Sequence, residues 1–119
     1  MGFLKRLFGG RPKSIDPASL DDRTIAEVSK MAADMTAPRD TNHYLYLPSE
    51  EAANAVAAAV GAPGRTVKAR PAASGSSWLV LVNEEMIVNQ ATIAETRREF
   101  SAAVAPYNGE YDGWEAAAS

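Results

Sequence analysis

The sequence predicts an α+β fold, a two-layer α/β sandwich in which helices cover one face of an antiparallel β-sheet. Stretches with apolar residues at three- and four-residue steps alternate with short stretches in which apolar and polar residues alternate. Turn-forming residues separate these stretches. Residues 106–115 hold two tyrosines, one tryptophan and two glycines, so this last stretch is expected to fold back and close the domain.

The composition is that of one globular domain. The chain has 119 residues, 46% hydrophobic and 23% charged, which suits a single compact core. Because cysteine is absent, a disulfide framework, a thiol nucleophile and a cysteine-ligated metal are excluded, and a cytoplasmic location is expected. The net charge of −3 argues against binding nucleic acid through bulk charge.

Residues 1–14 are predicted to be a basic arm before a single domain of residues 15–119. The first thirteen residues carry +4 and no acid, which leaves −7 on the remainder. A helical arm would place its apolar side chains on one face and act as a peripheral membrane anchor or partner-binding segment. We favour a disordered leader, because so short a helix is marginal in water. The candidate anchor residues are Phe3, Leu4, Lys5, Arg6, Leu7 and Phe8.

The first helix is predicted over residues 19–36. Its apolar stripe consists of Ile25, Val28, Ala32 and Met35. The spacing of Thr24 and Glu27 fits a capping box, and Pro38 ends the helix.

Residues 40–47 are predicted to form the first strand, with Tyr44 and Tyr46 on one face and His43, Leu45 and Leu47 on the other. Pro48 ends this strand. Ser49 is expected to cap the next helix, which is rich in alanine up to Gly61 and carries Glu50 and Glu51 in its first turn.

A β-hairpin follows, with strands at residues 65–72 and 77–83. In the first strand Val67 and Ala69 are expected to face inward, while Lys68 and Arg70 face water. The second strand is apolar on both faces, which is typical of an interior strand. Its two faces carry Trp78, Val80 and Val82 on one side and Leu79 and Leu81 on the other.

The last long helix is predicted over residues 89–105, with a capping-box spacing at Thr92 and Glu95, and Pro106 follows it. With right-handed crossovers the whole order gives a ferredoxin-like sandwich. The helices that start at Ser49 and Asn89 would cover one sheet face. The helix of residues 19–36 is an addition to this arrangement, and its docking place does not follow from the sequence.

Four segments together resemble a known family. They are His43-Tyr44-Leu45-Tyr46-Leu47, the helix that begins Ser49-Glu50-Glu51-Ala52, the strand that bears Trp78, and Asn108-Gly109-Glu110-Tyr111-Asp112-Gly113-Trp114. Over residues 40–115 the chain resembles the ribonuclease E inhibitor family, regulator of RNase E activity B (RraB-like). The resemblance implies a ferredoxin-like fold and a non-catalytic regulatory role, in which the protein partner is an endoribonuclease of the RNase E type.

Two sets of residues are candidates for this role. Acidic side chains would meet a basic partner, and the candidates are Glu50, Glu51, Glu84 and Glu85. The family motif has a structural and a partner-surface interpretation, of which we favour the structural one, with Asp112 and Gly113 forming a turn. Its residues are Gly109, Glu110, Tyr111, Asp112, Gly113 and Trp114.

No catalytic set, cofactor site or metal site is expected. His43 is the only histidine, and adjacent Glu84 and Glu85 would point apart on a strand, so we expect a packed histidine and solvated acids. Direct contact with nucleic acid is also not expected, because core packing explains the strand aromatics. The residues weighed for RNA contact are Tyr44, Tyr46, Trp78, Lys68, Arg70, Arg97 and Arg98. The oligomeric state is left open.

Overall fold

The computed structural model describes residues 6–8, 17–32, 34–73 and 75–117. These residues contain five strands, three α-helices and one 3-10 turn. In chain order they are β1 (Arg6–Phe8), α1 (Pro17–Met31), β2 (Arg39–Leu47), α2 (Glu50–Val60), β3 (Arg65–Pro71), β4 (Trp78–Met86), α3 (Gln90–Val104), the 3-10 turn (Ala105–Tyr107) and β5 (Glu110–Ala117).

The strands form one antiparallel sheet in the order β1-β5-β2-β4-β3. From β2 to β5 the elements follow the order β-α-β-β-α-β, which is the ferredoxin-like order. Strand β4 pairs with β2 on one side and with β3 on the other, which confirms that it is an interior strand. The chain is therefore an α+β two-layer sandwich, as the sequence predicts.

One face of the sheet holds the core. Along β2, Thr41, His43, Leu45 and Leu47 are buried, while the residues between them are only half-buried. Side chains of α2 and α3, among them Val56 and Phe100, join the same buried cluster. The opposite surface, which we call the open face, carries Tyr44 and Tyr46, so both predicted faces of this strand are confirmed.

Polar side chains fix the starts of α2 and α3. The Ser49 hydroxyl accepts a hydrogen bond from the Ala52 amide at 3.1 Å, so the predicted cap is confirmed. Helix α3 is capped by Asn89, whose side chain accepts from the Thr92 amide at 2.9 Å, while the Asn89 amide donates to the Thr92 hydroxyl at 3.0 Å. The capping box therefore pairs Asn89 with Thr92, and the predicted pairing of Thr92 with Glu95 is wrong.

Helix α1 is shorter than predicted and has a different start. It ends at Met31, five residues before the expected end. The Asp34 carboxylate accepts from the amide and the hydroxyl of Thr36, at 2.9 and 2.6 Å, and this local turn competes with further helix. Thr24 lies inside the helix, where its hydroxyl donates to the Leu20 carbonyl at 3.1 Å, so it is not part of a capping box.

Asp21 docks α1 onto the rest of the domain. Its carboxylate accepts two hydrogen bonds from Arg97 of α3, at 2.7 and 2.8 Å, and one from the indole nitrogen of Trp114 in β5, at 3.0 Å. Both Asp21 and Trp114 are buried. This contact supplies the docking place that the sequence did not reveal.

Arg6–Phe8 form a strand, so an amphipathic helix over residues 3–8 is wrong for these three residues. They pair with the end of β5, with Arg6 opposite Ala117 and Phe8 opposite Glu115. The expectation of a disordered leader is also wrong for these three residues, because their backbone pairs with β5 and extends the sheet. Residues 1–5 and 9–16 lie outside the described residues.

Residues 110–117 form a full strand, not a turn at Asp112 and Gly113. The register against β2 shifts between Tyr44 and Leu45, which face Gly113 and Tyr111, so Asp112 is the extra residue of a β-bulge. Gly113 has a φ of 137°, which side chains of L-residues rarely tolerate. The turn comes earlier, at Asn108, which adopts a left-handed conformation with a φ of 57°.

Candidate functional site

A chain of polar side chains crosses the core side of the sheet around His43. The histidine is fully buried, and its Nδ1 and Nε2 lie 3.0 Å from the Tyr111 hydroxyl and 3.1 Å from a Glu84 carboxylate oxygen. The Phe100 ring packs edge-on against the imidazole, with 4.8 Å between ring centroids. Strands β2, β4 and β5 and helix α3 thus meet at one residue.

The neighbours of His43 assign its tautomer. An ionised Glu84 carboxylate only accepts hydrogen bonds, so the Nε2–H of His43 donates to it. The Nδ1 atom then accepts from the Tyr111 hydroxyl. Both ring nitrogens are satisfied when the imidazole is neutral.

Arg65 lies at the surface end of this row of polar side chains. Its two terminal nitrogens donate to both oxygens of Glu99, at 2.7 and 2.9 Å, and its Nε donates to Glu84 at 3.2 Å. The guanidinium also lies 5.0 Å from the centre of the Phe100 ring. This two-pronged pairing of guanidinium and carboxylate fixes β3 to α3.

Burial and hydrogen bonding shift the pKa values within this network. Burial lowers the pKa of His43 and raises the pKa of Tyr111, so both stay neutral near pH 7. The hydrogen bond from His43 lowers the pKa of Glu84, and the hydrogen bonds from Arg65 lower the pKa of Glu99. The network therefore contains two carboxylates that accept and one guanidinium that donates.

These contacts hold strands β2 to β5 and helix α3 together, so their role is structural. We call the group of His43, Tyr111, Glu84, Arg65 and Glu99 the first clasp. A general base must reach a substrate proton, whereas the His43 ring is buried and already bonded at both nitrogens. The sequence does carry a signal for the position of Glu84. If the alternation of Val80 and Val82 is continued, Glu84 lies on the core side of β4, opposite Thr41.

A second clasp joins the closing strand to the helices. Asp21 receives hydrogen bonds from Arg97 and from the Trp114 indole, and the Arg97 guanidinium lies 4.9 Å from the centre of the Tyr111 ring. Trp114 and Tyr111 are almost completely buried. Both aromatic residues of the family motif are therefore packed against the core.

Other positions of the motif are also held by packing. A Cβ atom at Gly109 would lie 2.5 Å from a Leu47 methyl carbon, 2.8 Å from the Tyr46 carbonyl oxygen and 2.9 Å from the Val104 Cβ. Only glycine fits this approach of the chain to β2 and α3. Glu110 is exposed, and Asp112 is half-buried in the bulge.

The four candidate acids do not form one surface. Glu84 belongs to the His43 network, so the expectation that it is a solvated acid is wrong. Glu50 and Glu51 are exposed near the Leu47 end of β2. Glu85 is exposed opposite Asp40, at the other end of the same strand pair, about 23 Å away by strand length. Two separate acidic sites result.

The residues weighed for RNA contact also divide between surfaces. Trp78 packs against the main core cluster, as expected. Tyr44 and Tyr46 lie on the open face, so core packing does not account for them. Lys68 and Arg70 are exposed on β3, while Arg97 is engaged with Asp21.

Two other kinds of site are absent from the described ranges. No group of three or more histidine, cysteine, aspartate or glutamate side chains there is arranged to hold a metal ion. No helix among those residues has the length and apolarity to cross a membrane.

The fold and these clasps define a small α+β domain whose buried ionisable groups bind one another. The family model of regulator of ribonuclease activity B matches residues 19–116, which include all of β2 to β4, all of α2 and α3 and most of α1 and β5. The chain therefore belongs to the regulator of ribonuclease activity B (RraB) family. No curated protein and no solved structure shows significant similarity to it.

Proposed function

We propose that this protein is a non-catalytic regulator that binds an endoribonuclease of the RNase E type, lowers its activity and so modulates RNA turnover. The observation that carries the proposal is the family match over residues 19–116. The matched range includes the residues of both clasps. The engagement of His43 in such a clasp agrees with a role in binding and not in chemistry.

Charge supports a basic partner. The chain has a net charge of −3, and Arg39, Arg65 and Arg97 are engaged in hydrogen bonds to the domain itself. Exposed acids such as Glu50 and Glu51 can therefore interact with a partner. Basic surfaces that a ribonuclease uses to hold RNA would be attracted to them, and added salt would weaken the attraction.

The test is cleavage of a fluorogenic single-stranded RNA by a purified RNase E-type endoribonuclease while the chain is titrated. The proposal expects a saturable fall in cleavage rate that persists when RNA is in large excess over the chain. An unrelated ribonuclease serves as the control and should keep its rate. An unchanged rate together with no calorimetric binding at low salt would refute the proposal.

Charge-neutralising variants locate the contact. Because the two acidic sites are far apart, Glu50→Gln with Glu51→Gln and Glu85→Gln are tested separately. Glu95→Gln, an exposed acid on α3, is the matched control. We expect one of the two sites to lose several-fold in affinity, while the control stays within twofold. Equal affinities in all three variants would remove acidic steering from the proposal.

A further inference from the structure

The open face presents two matched rows of side chains. The register across β2, β4 and β3 aligns Tyr44, Leu81 and Lys68 in one row. The same register aligns Tyr46, Leu79 and Arg70 in the next row. Within a row the tyrosine and the cation are two strands apart, about 10 Å, and the rows are about 7 Å apart.

Among the described residues, the two cations at the ends of these rows are unengaged. Lys68 and Arg70 are exposed and have no hydrogen-bond or ion-pair partner among residues 6–8, 17–32, 34–73 and 75–117. Arg65, on the opposite face of the same strand, makes four hydrogen bonds. Two exposed positive charges on the β3 edge of the sheet are thus available to an anionic ligand.

The middle of the face offers an aromatic surface and a polar hollow. The Tyr44 hydroxyl donates to Glu115 at 2.9 Å, which holds the half-buried ring in place. A hollow of about 290 Å³ is lined by Asn42, Thr66, Lys68, Leu81 and Asn83. Its lining combines amide and hydroxyl groups with one cation, so it supplies hydrogen-bonding groups beside the rings.

We propose that this face binds single-stranded RNA over about two nucleotides. The Tyr46 ring stacks on a base, and Lys68 and Arg70 neutralise phosphates. Stacking on aromatic rings combined with backbone neutralisation is the general means by which proteins hold single strands without sequence preference. An acidic peptide would gain only two exposed ion pairs here, and such pairs contribute less than stacked bases.

The same face limits the length of the site. Asp40 and Glu85 face each other on β2 and β4, and Glu115 lies across from Asn42. These carboxylates would repel further phosphates. The site therefore covers the two tyrosine rows only. Binding to so short a site is weak, which is compatible with the net charge of −3.

The test is titration of the isotope-labelled full chain with a tetrauridine RNA, followed by amide chemical shifts. We expect shifts confined to β2, β3 and β4, and a slope of log K against log salt of about −1.4 for two phosphates. Lys68→Glu with Arg70→Glu should weaken binding at least tenfold, and Tyr46→Leu several-fold. Arg23→Glu with Arg98→Glu makes the same charge change on exposed helix positions and should stay within twofold.

Two results would overturn the proposal. One is the absence of shifts with RNA, whether or not a glutamate pentapeptide shifts the same amides, and the other is equal weakening in the Arg23 and Arg98 control. Well-dispersed spectra of each variant establish that it is folded. This proposal is independent of ribonuclease inhibition, and the two can be told apart. If the chain only sequestered RNA, excess RNA would restore the cleavage rate, whereas inhibition through binding to the enzyme would persist.

Discussion

Lowering the pH from 7 to 5.5 is expected to destabilise the fold through His43. Burial lowers its pKa from the ordinary value of 6.5, so the unfolded chain takes up a proton that the folded chain refuses. Stability is then complete above pH 6.5 and falls as the pH drops below it. The slope approaches about 1.4 kcal/mol per pH unit, which gives a loss of at most about 1.2 kcal/mol between pH 7 and 5.5.

This pH window separates His43 from the other members of its network. The pKa values of Glu84 and Glu99 are lowered from 4.5, so their contributions are lost only at more acidic pH. Tyr111 has a raised pKa, Arg65 stays charged, and no second histidine exists in the sequence. The free energy of unfolding near pH 6 should therefore report on one side chain.

The assay is urea unfolding followed by tryptophan fluorescence at half-unit steps of pH. His43→Gln has no titrating group at this position, so its free energy of unfolding should be flat between pH 7 and 5.5 even if its absolute value is lower. A flat profile for the natural chain would refute the reasoning. So would a His43→Gln variant that keeps the same slope.

Two further substitutions test the closing strand by denaturant unfolding. Asp21→Ala leaves Arg97 and the Trp114 indole without their acceptor and should lower the free energy of unfolding by about 3 kcal/mol. The control is Asp22→Ala at the exposed neighbouring position, which should lower it by under about 0.5 kcal/mol. A loss below about 1 kcal/mol for Asp21→Ala would show that α1 docks by other contacts. Gly109→Ala inserts a methyl group against a backbone carbonyl and should cost about 2 kcal/mol, and an unchanged midpoint would show that the backbone there yields freely.

The architecture was largely readable from hydrophobic periodicity. The alternation along residues 40–47 assigned both faces of β2 correctly, and the two-sided apolar pattern of residues 78–82 identified β4 as interior. These predictions worked because burial of one face strongly constrains side-chain parity in a strand.

Local competition between hydrogen bonds caused the errors. The capping-box spacing occurs at Thr24 and Thr92, yet Thr24 bonds back to its own helix and Thr92 serves as the third helical residue of a box begun by Asn89. Spacing alone cannot tell which of these arrangements wins, because each satisfies the same hydroxyl.

The contacts within the site were beyond the sequence for a different reason. His43, Tyr111 and Arg65 are far apart in the chain, and their meeting depends on strand order and on the bulge at Asp112. The alternation of side chains along β4 could have placed Glu84 on the core side, but not beside a particular histidine. Long-range polar pairing therefore needs the three-dimensional arrangement.

The position of β5 between β1 and β2 has a consequence for synthesis of the chain. Strand β2 leaves the ribosome early, whereas the neighbour that covers one of its edges is made more than sixty residues later. Until then a hydrophobic edge has no native partner, and a nascent chain in that condition is exposed to mispairing and to chaperone capture. Native pairing at this edge of β2 must therefore await synthesis of β5.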